Sequence, residues 1–118
     1  DVGLLTSFGE GLPRALLEPM ACAKPVICTD VKGNREAVKD QQTGFIVPLG
    51  DAQTLANKMQ WLIEHPTERT QMGLAAREHV VGNFSAQQVL ERLGNIYLAC
   101  HEHQQRLAKL DTSWGTTR

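Results

Sequence analysis

The sequence predicts an α/β fold, a partial Rossmann-like parallel sheet covered by helices and finished by a helical C-terminal run. Three observations carry that expectation. Short apolar stretches, "VGLLT", "VICT" and "GFIV", are separated by segments long enough to cross over a sheet, as parallel strands require. The residues between them are rich in Gly, Pro, Asp and Asn, which make turns and helix caps. Beyond Asp51 the strands stop, and apolar residues recur at helical spacing instead.

Taken in order, Val2 to Thr6 reads as a short strand buried on both faces of a sheet. Ser7 to Leu12 is a loop. A helix follows from Pro13 to Cys22, with Pro13 in the first helical position, where its missing N–H costs nothing. "AKP" ends that helix, and Val26 to Thr29 is a second strand, completing a βαβ unit. The loop "DVKGN" leads to a short helix near Arg35 to Lys39; turn-like "KDQQTG" precedes a third strand, Gly44 to Val47. Asp51 is placed to cap the next helix. Along it Ala52, Leu55, Ala56, Met59, Leu62 and Ile63 share one face until Pro66 stops it. A second helix, about Thr67 to Val81, turns Met72, Ala75, Ala76 and Val80 inward, and "GNF" interrupts it. Ser85 caps a third, whose apolar stripe is Val89, Leu90, Leu93, Ile96, Tyr97 and Cys100. "HEHQQR" beyond is polar and reads as frayed. Residues 111–118, with Trp114, read as a disordered tail, leaving 1–110 as one partial domain. Because Asp1 opens directly on a strand, the chain reads as starting within a fold.

Composition narrows the partners. The 118 residues are 42% hydrophobic and 21% charged, with a net charge of −1 and no two basic residues adjacent. Nothing in that pattern resembles a nucleic-acid footprint or a polybasic membrane patch. No apolar run approaches the ~20 residues of a membrane span, and no basic region precedes an apolar stretch at the N-terminus. Three cysteines without a C-x-x-C pair read as reduced structural thiols of a cytosolic compartment. His65, His79, His101 and His103 form no metal-ligand set and read as solvated. Gly9 and Gly11 begin a dinucleotide-type glycine pattern, but Arg14 stands where its third glycine belongs, and no G-K-[ST] occurs.

In open parallel sheets, ligands bind outside the carboxyl ends of the strands. Three segments lie on that edge: Ser7 to Arg14, Thr29 to Arg35, and Pro48 to Thr54. The first is the most informative. Leu12, Arg14 and Ala15 would present free N–H groups at a helix start, which favours an anion such as a diphosphate by about 0.3–1 kcal/mol from the helix dipole. Glu10 and Glu18 flank that turn. Carboxylates would repel phosphates but accept hydroxyl hydrogens, so one on either side suits a sugar at one end of a diphosphate and a ribose at the other. That describes a nucleotide sugar. Two acids at this spacing are by themselves a common surface pattern; their position before a helix and the two segments that follow give them their weight.

"EGLPRALLE", "MACAKPVICTDVKGNREAV" and "GFIVPLGD" together resemble the donor-binding half of the retaining GT-B glycosyltransferases of the family 4, or group 1, type, over Asp1 to about Leu98. The resemblance implies that Glu10 contacts hydroxyls of the donor sugar at the reacting centre, without acting as a base, and that Glu18 binds the ribose. It implies that Gly11, Leu12 and Arg14 line the donor through backbone groups, and it places Gly33, Asn34 and Glu36 in the loop after the next strand. The donor it implies is an NDP-sugar, a UDP-sugar above all. No cofactor and no metal are implied, in keeping with the absence of any D-x-D. The acceptor is a glycan or a lipid-linked molecule, held by an N-terminal domain that this chain lacks, so the fragment alone should not catalyse transfer. The E-G-L-P form is similar to enzymes of bacterial surface polysaccharide synthesis that work in the cytoplasm or at the cytoplasmic face of the membrane. Pro19 directly after Glu18 predicts a kink that re-aims that carboxylate. The alternative function is a non-catalytic nucleotide-sugar-binding or scaffold module. An exposed strand at Val2 to Thr6 would also let the fragment self-associate.

Overall fold

A computed structural model describes residues 1–113, with side chains to residue 109. Trp114 and the other residues of 114–118, the greater part of the expected tail, lie outside the described residues. The chain falls into two compact units, Asp1–Asn83 and a second beginning at Phe84.

The first unit is built on three parallel strands, β1 (Gly3–Leu5), β2 (Val26–Thr29) and β3 (Gly44–Val47), in the order β1-β2-β3. β2 has a neighbour on each side and is buried at every residue, as its continuous apolar run requires. β1 is not buried on both faces as expected: among the described residues it pairs with β2 alone, and Leu4 is 48% exposed. Alternation along the strands sends Ile27, Phe45 and Val47 to one face, where they cluster with Leu62 and Met72 of helices α3 (Ala52–Glu64) and α4 (Pro66–Phe84). Helix α1 (Arg14–Ala21) lies on β1 and β2, and contributes the fully buried Leu16 and Met20.

Pro13 is the N-cap of α1 rather than its first helical residue; its carbonyl accepts the N–H groups of Leu16 and Leu17 at 3.0 and 3.2 Å. The helix runs on through Pro19 to Ala21. The Pro19 ring lies over Gly3 of β1, its Cγ 2.7 Å from where a Cβ would stand there, so only glycine admits this approach. A Schellman motif closes α1: Lys24 N–H donates to the Pro19 carbonyl and Ala23 N–H to that of Met20, both at 3.0 Å, with Ala23 in the left-handed region at φ 57°. Gly73 of α4 sits against the Ala23 carbonyl, which leaves no room for a side chain at 73.

Helix α2 (Lys32–Ala37) begins and ends earlier than expected, so the loop before it shrinks to Asp30 and Val31. Val31 is its extended N-cap, and the Val31 carbonyl accepts the Arg35 N–H at 3.0 Å. Gly33 is helical despite its low propensity because tertiary packing there demands the smallest residue. In α3 the buried face is rotated from the expected one. Leu62 is buried and Leu55 and Trp61 pack against the core, whereas Met59 and Ile63 are exposed. Trp61 takes that place by meeting Phe45 edge-on at 5.4 Å and stacking on His65 at 4.4 Å, so His65 is a packing residue and not a solvated one.

α4 buries Met72, Gly73, Ala76 and Val80 and continues past Gly82 to Phe84. In the second unit, α5 (Ala86–Ser113) is capped as expected, Ser85 Oγ accepting the Gln88 N–H at 3.3 Å. It runs unbroken through "HEHQQR", so 111–113 are helical, and its residues Val89, Leu90, Leu93, Ile96 and Tyr97 are exposed. Of the cysteines only Cys28 is buried; Cys22 and Cys100 are exposed and therefore not core residues.

Candidate functional site

The register brings the strand ends level. Leu5 pairs with Cys28 and Thr29 with Val47, so the connections Thr6–Pro13, Asp30–Val31 and Pro48–Asp51 all leave one edge of the sheet. A cavity of about 290 Å³ opens there, lined by Thr6, Phe8, Thr29, Pro48 and Asp51 among others. These are the three segments expected from sequence. Phe8 is 83% exposed at this edge.

Glu10 is half-buried in the first connection, with Gly11 and Leu12 exposed beside it. The N–H groups of Arg14 and Ala15, in the first two positions of α1, have no carbonyl within the helix to reach. Glu18 lies a turn further on. Its Oε1 stands 3.8 Å from Arg14 Nη2, with both side chains largely in solvent, so this pair contributes little to stability and leaves the carboxylate accessible. Glu10, Gly11, Leu12, Arg14 and Glu18 thus belong to one connection and the helix it feeds.

Gly33, Asn34 and Glu36 are not in a loop but on α2. A Cβ on Gly33 would fall on the carbonyl oxygens of Gly11 and Glu10, so α2 lies directly against the first connection. Asn34 is fully buried; its Nδ2 donates to the Thr29 carbonyl at 2.9 Å, and its Oδ1 has no partner among the described residues. Glu36 is exposed. Sequence reasoning placed Thr29 at this edge but gave it no role. Its Oγ1 donates to the Ser7 carbonyl at 2.5 Å, tying the end of β2 to the start of the first connection. The signal was a hydroxyl residue closing an otherwise apolar strand.

Two further carboxylates at this edge are held by local bonds. Asp30 accepts Arg35 Nη1 at 2.6 Å. Asp51 caps α3, and its carboxyl is held below the ordinary range by the Thr54 hydroxyl at 2.6 Å and the Thr54 N–H at 2.9 Å. The Cys28 thiol, buried within β2, is pushed up to about 12 by burial and then by the charges of Asp40 and Asp30. Among the described residues no three His, Cys, Asp or Glu side chains gather as a metal site, and no helix is long and apolar enough to cross a membrane.

Residues 1–79 match the family described as glycosyl transferases group 1. The capsular polysaccharide biosynthesis glycosyltransferase CapM of Staphylococcus aureus is 36% identical over 97 residues, covering 82% of this chain and 26% of CapM. Among solved structures, sucrose-phosphate synthase from Thermosynechococcus elongatus is similar with a TM-score of 0.82 and 30% identity, over 86% of this chain and 26% of that one. Anabaena HepE in complex with UDP gives 0.70 and 29%, over 79% of this chain and 28% of that one. The chain spans about a quarter of the length of the curated relatives it matches.

Proposed function

The chain belongs to the glycosyl transferases group 1 family, as part of a GT-B C-terminal domain, and on that footing we propose that its sheet edge holds the donor of a retaining glycosyl transfer from a UDP-sugar. One observation carries the reading. The free N–H groups that open α1 are flanked along the chain by two carboxylates, the half-buried Glu10 before them and the exposed Glu18 after, on the connection that leaves the sheet at the strand ends. That HepE is solved with UDP and that CapM is named for capsular polysaccharide synthesis support the nucleotide and the pathway class.

In this reading the diphosphate lies on the N-terminus of α1. Negative charge grows on the leaving diphosphate as the glycosidic bond breaks, so the Arg14 and Ala15 N–H groups stabilise the transition state more than the ground state. Glu10 accepts hydroxyl hydrogens of the sugar and fixes its orientation. Glu18 accepts those of the ribose. A glycan or lipid-linked acceptor is brought by the rest of the full-length enzyme.

Calorimetric titration of the full-length enzyme with UDP and with UDP-sugars tests the assignment. Hydrogen bonds to a carboxylate are worth about 1.5–3 kcal/mol, so Glu10→Ala should weaken UDP-sugar binding by about ten- to a hundredfold and leave UDP unchanged. Glu18→Ala should weaken UDP itself. If neither substitution alters binding of any nucleotide sugar, the two acids are surface residues and the proposal fails.

A further inference from the structure

We propose that Thr29 is a positioning residue for the donor: through the Ser7 carbonyl it fixes where Glu10 stands. The inference rests on the donor-site reading. The connection Thr6–Pro13 has little to hold it from within. Phe8 and Leu12 are exposed, and Gly9 and Gly11 have nothing within 4 Å of a Cβ position. Its restraints come from the neighbouring elements. Pro13 is buried at its far end, Gly33 of α2 abuts the Glu10 and Gly11 carbonyls, and Thr29 Oγ1 donates to the Ser7 carbonyl.

Thr29 joins these restraints. Its hydroxyl holds the first connection while its carbonyl accepts Asn34 Nδ2 and so holds α2, the helix on which Gly33 sits. Thr29 is itself 6% exposed at the end of the central strand, which is buried at every residue. A loop that must place a carboxylate to within a fraction of an ångström of its ligand needs such support, because positioning lost at the loop is lost in the transition state.

The test is a graded series at 29 in the full-length enzyme, read by UDP-sugar affinity, by donor KM against kcat, and by thermal melting. Thr29→Val keeps the shape and removes the donor; it should raise the UDP-sugar Kd about tenfold, the scale of one such bond, and leave the acceptor KM unchanged. Thr29→Ser, which keeps the hydroxyl, should stay within about twofold of the wild type. Thr29→Cys, a weak donor of similar size, should fall between them, and it carries the test if the valine variant does not fold. In a Glu10→Ala background the valine penalty should shrink to under about twofold, because a residue acting through Glu10 has nothing left to position. A variant that melts earlier while binding UDP-sugar as the wild type does, or a penalty that persists in full without Glu10, overturns the inference. If Glu10→Ala alone leaves UDP-sugar binding intact, the donor-site reading falls and takes this one with it; if Glu10→Ala weakens binding and Thr29→Val does not, only the positioning role is lost.

Discussion

Two connections leave the same sheet edge and are built in opposite ways. Between β1 and α1 the chain wanders through Thr6–Pro13 with Phe8, Gly9, Gly11 and Leu12 exposed and backbone donors unspent. Between β2 and α2 it takes only Asp30 and Val31, and the helix that follows buries Gly33, Asn34 and Ala37. One segment is long and leaves Phe8 and Leu12 in solvent, while the other is short and its helix turns Gly33, Asn34 and Ala37 into the fold. A polar residue beside a ligand edge is therefore not automatically a ligand contact. Asn34 is at the edge and faces inward.

The sharpest way to break this contrast is to place a methyl group on a glycine of each segment. Gly33→Ala drives a Cβ into the Gly11 and Glu10 carbonyls, so backbone must shift. The expected loss in chemical denaturation is about 3 kcal/mol, at the upper end for overpacking. Gly11→Ala meets nothing within 4 Å and has no left-handed φ to strain; its stability should stay within about 0.5 kcal/mol of the wild type. Equal losses would mean the two segments are not held differently.

A smaller effect separates two neighbours on α2. Asn34→Ala removes the donor to the buried Thr29 carbonyl and should cost about 1–2 kcal/mol in the same measurement. Glu36→Ala, on the exposed side, should cost less than about 0.5 kcal/mol.

The third connection gives the smallest effect and one that depends on pH. The Asp51 carboxyl is held below its ordinary 3.8 by the Thr54 hydroxyl and N–H. A depressed carboxyl stabilises the folded chain fully above its ordinary value and loses that contribution as the pH falls through the lowered one. Asp51→Ala should therefore melt below the wild type at neutral pH, and the gap should close in acid. A gap independent of pH would show that the hydroxyl and N–H bonds to the carboxylate are not what caps α3.

Sequence alone was a good guide where the determining contacts are local. Strands Val26–Thr29 and Gly44–Val47 stand where their apolar runs placed them, and Asp51 and Ser85 cap their helices because a cap reads only the next turn. It misled where distant contacts decide. Gly33 looked like loop, and becomes helical because another loop's backbone requires its missing side chain. Ile63 fitted the apolar stripe of α3 but is 70% exposed, and Trp61, in a T-shaped pair with Phe45, packs against the core in its place. The same divide runs through the candidate site. That Glu10 precedes the opening of α1 follows from order along the chain, whereas the bond from Thr29 does not, because the carbonyl it serves lies 22 residues away.

The turn that closes α1 has a consequence for how this protein can change over time. Ala23 occupies a conformation that glycine would fill with less strain, and its carbonyl sits where any side chain at position 73 would intrude. The two sites are thus locked as a pair in direct contact, 50 residues apart in the chain. Among descendants of a common ancestor, bulk gained at 73 should arrive only with a rebuilt turn at 23. A designer who replaced Gly73 to strengthen α4 would feel the cost at the end of the helix that carries Glu18.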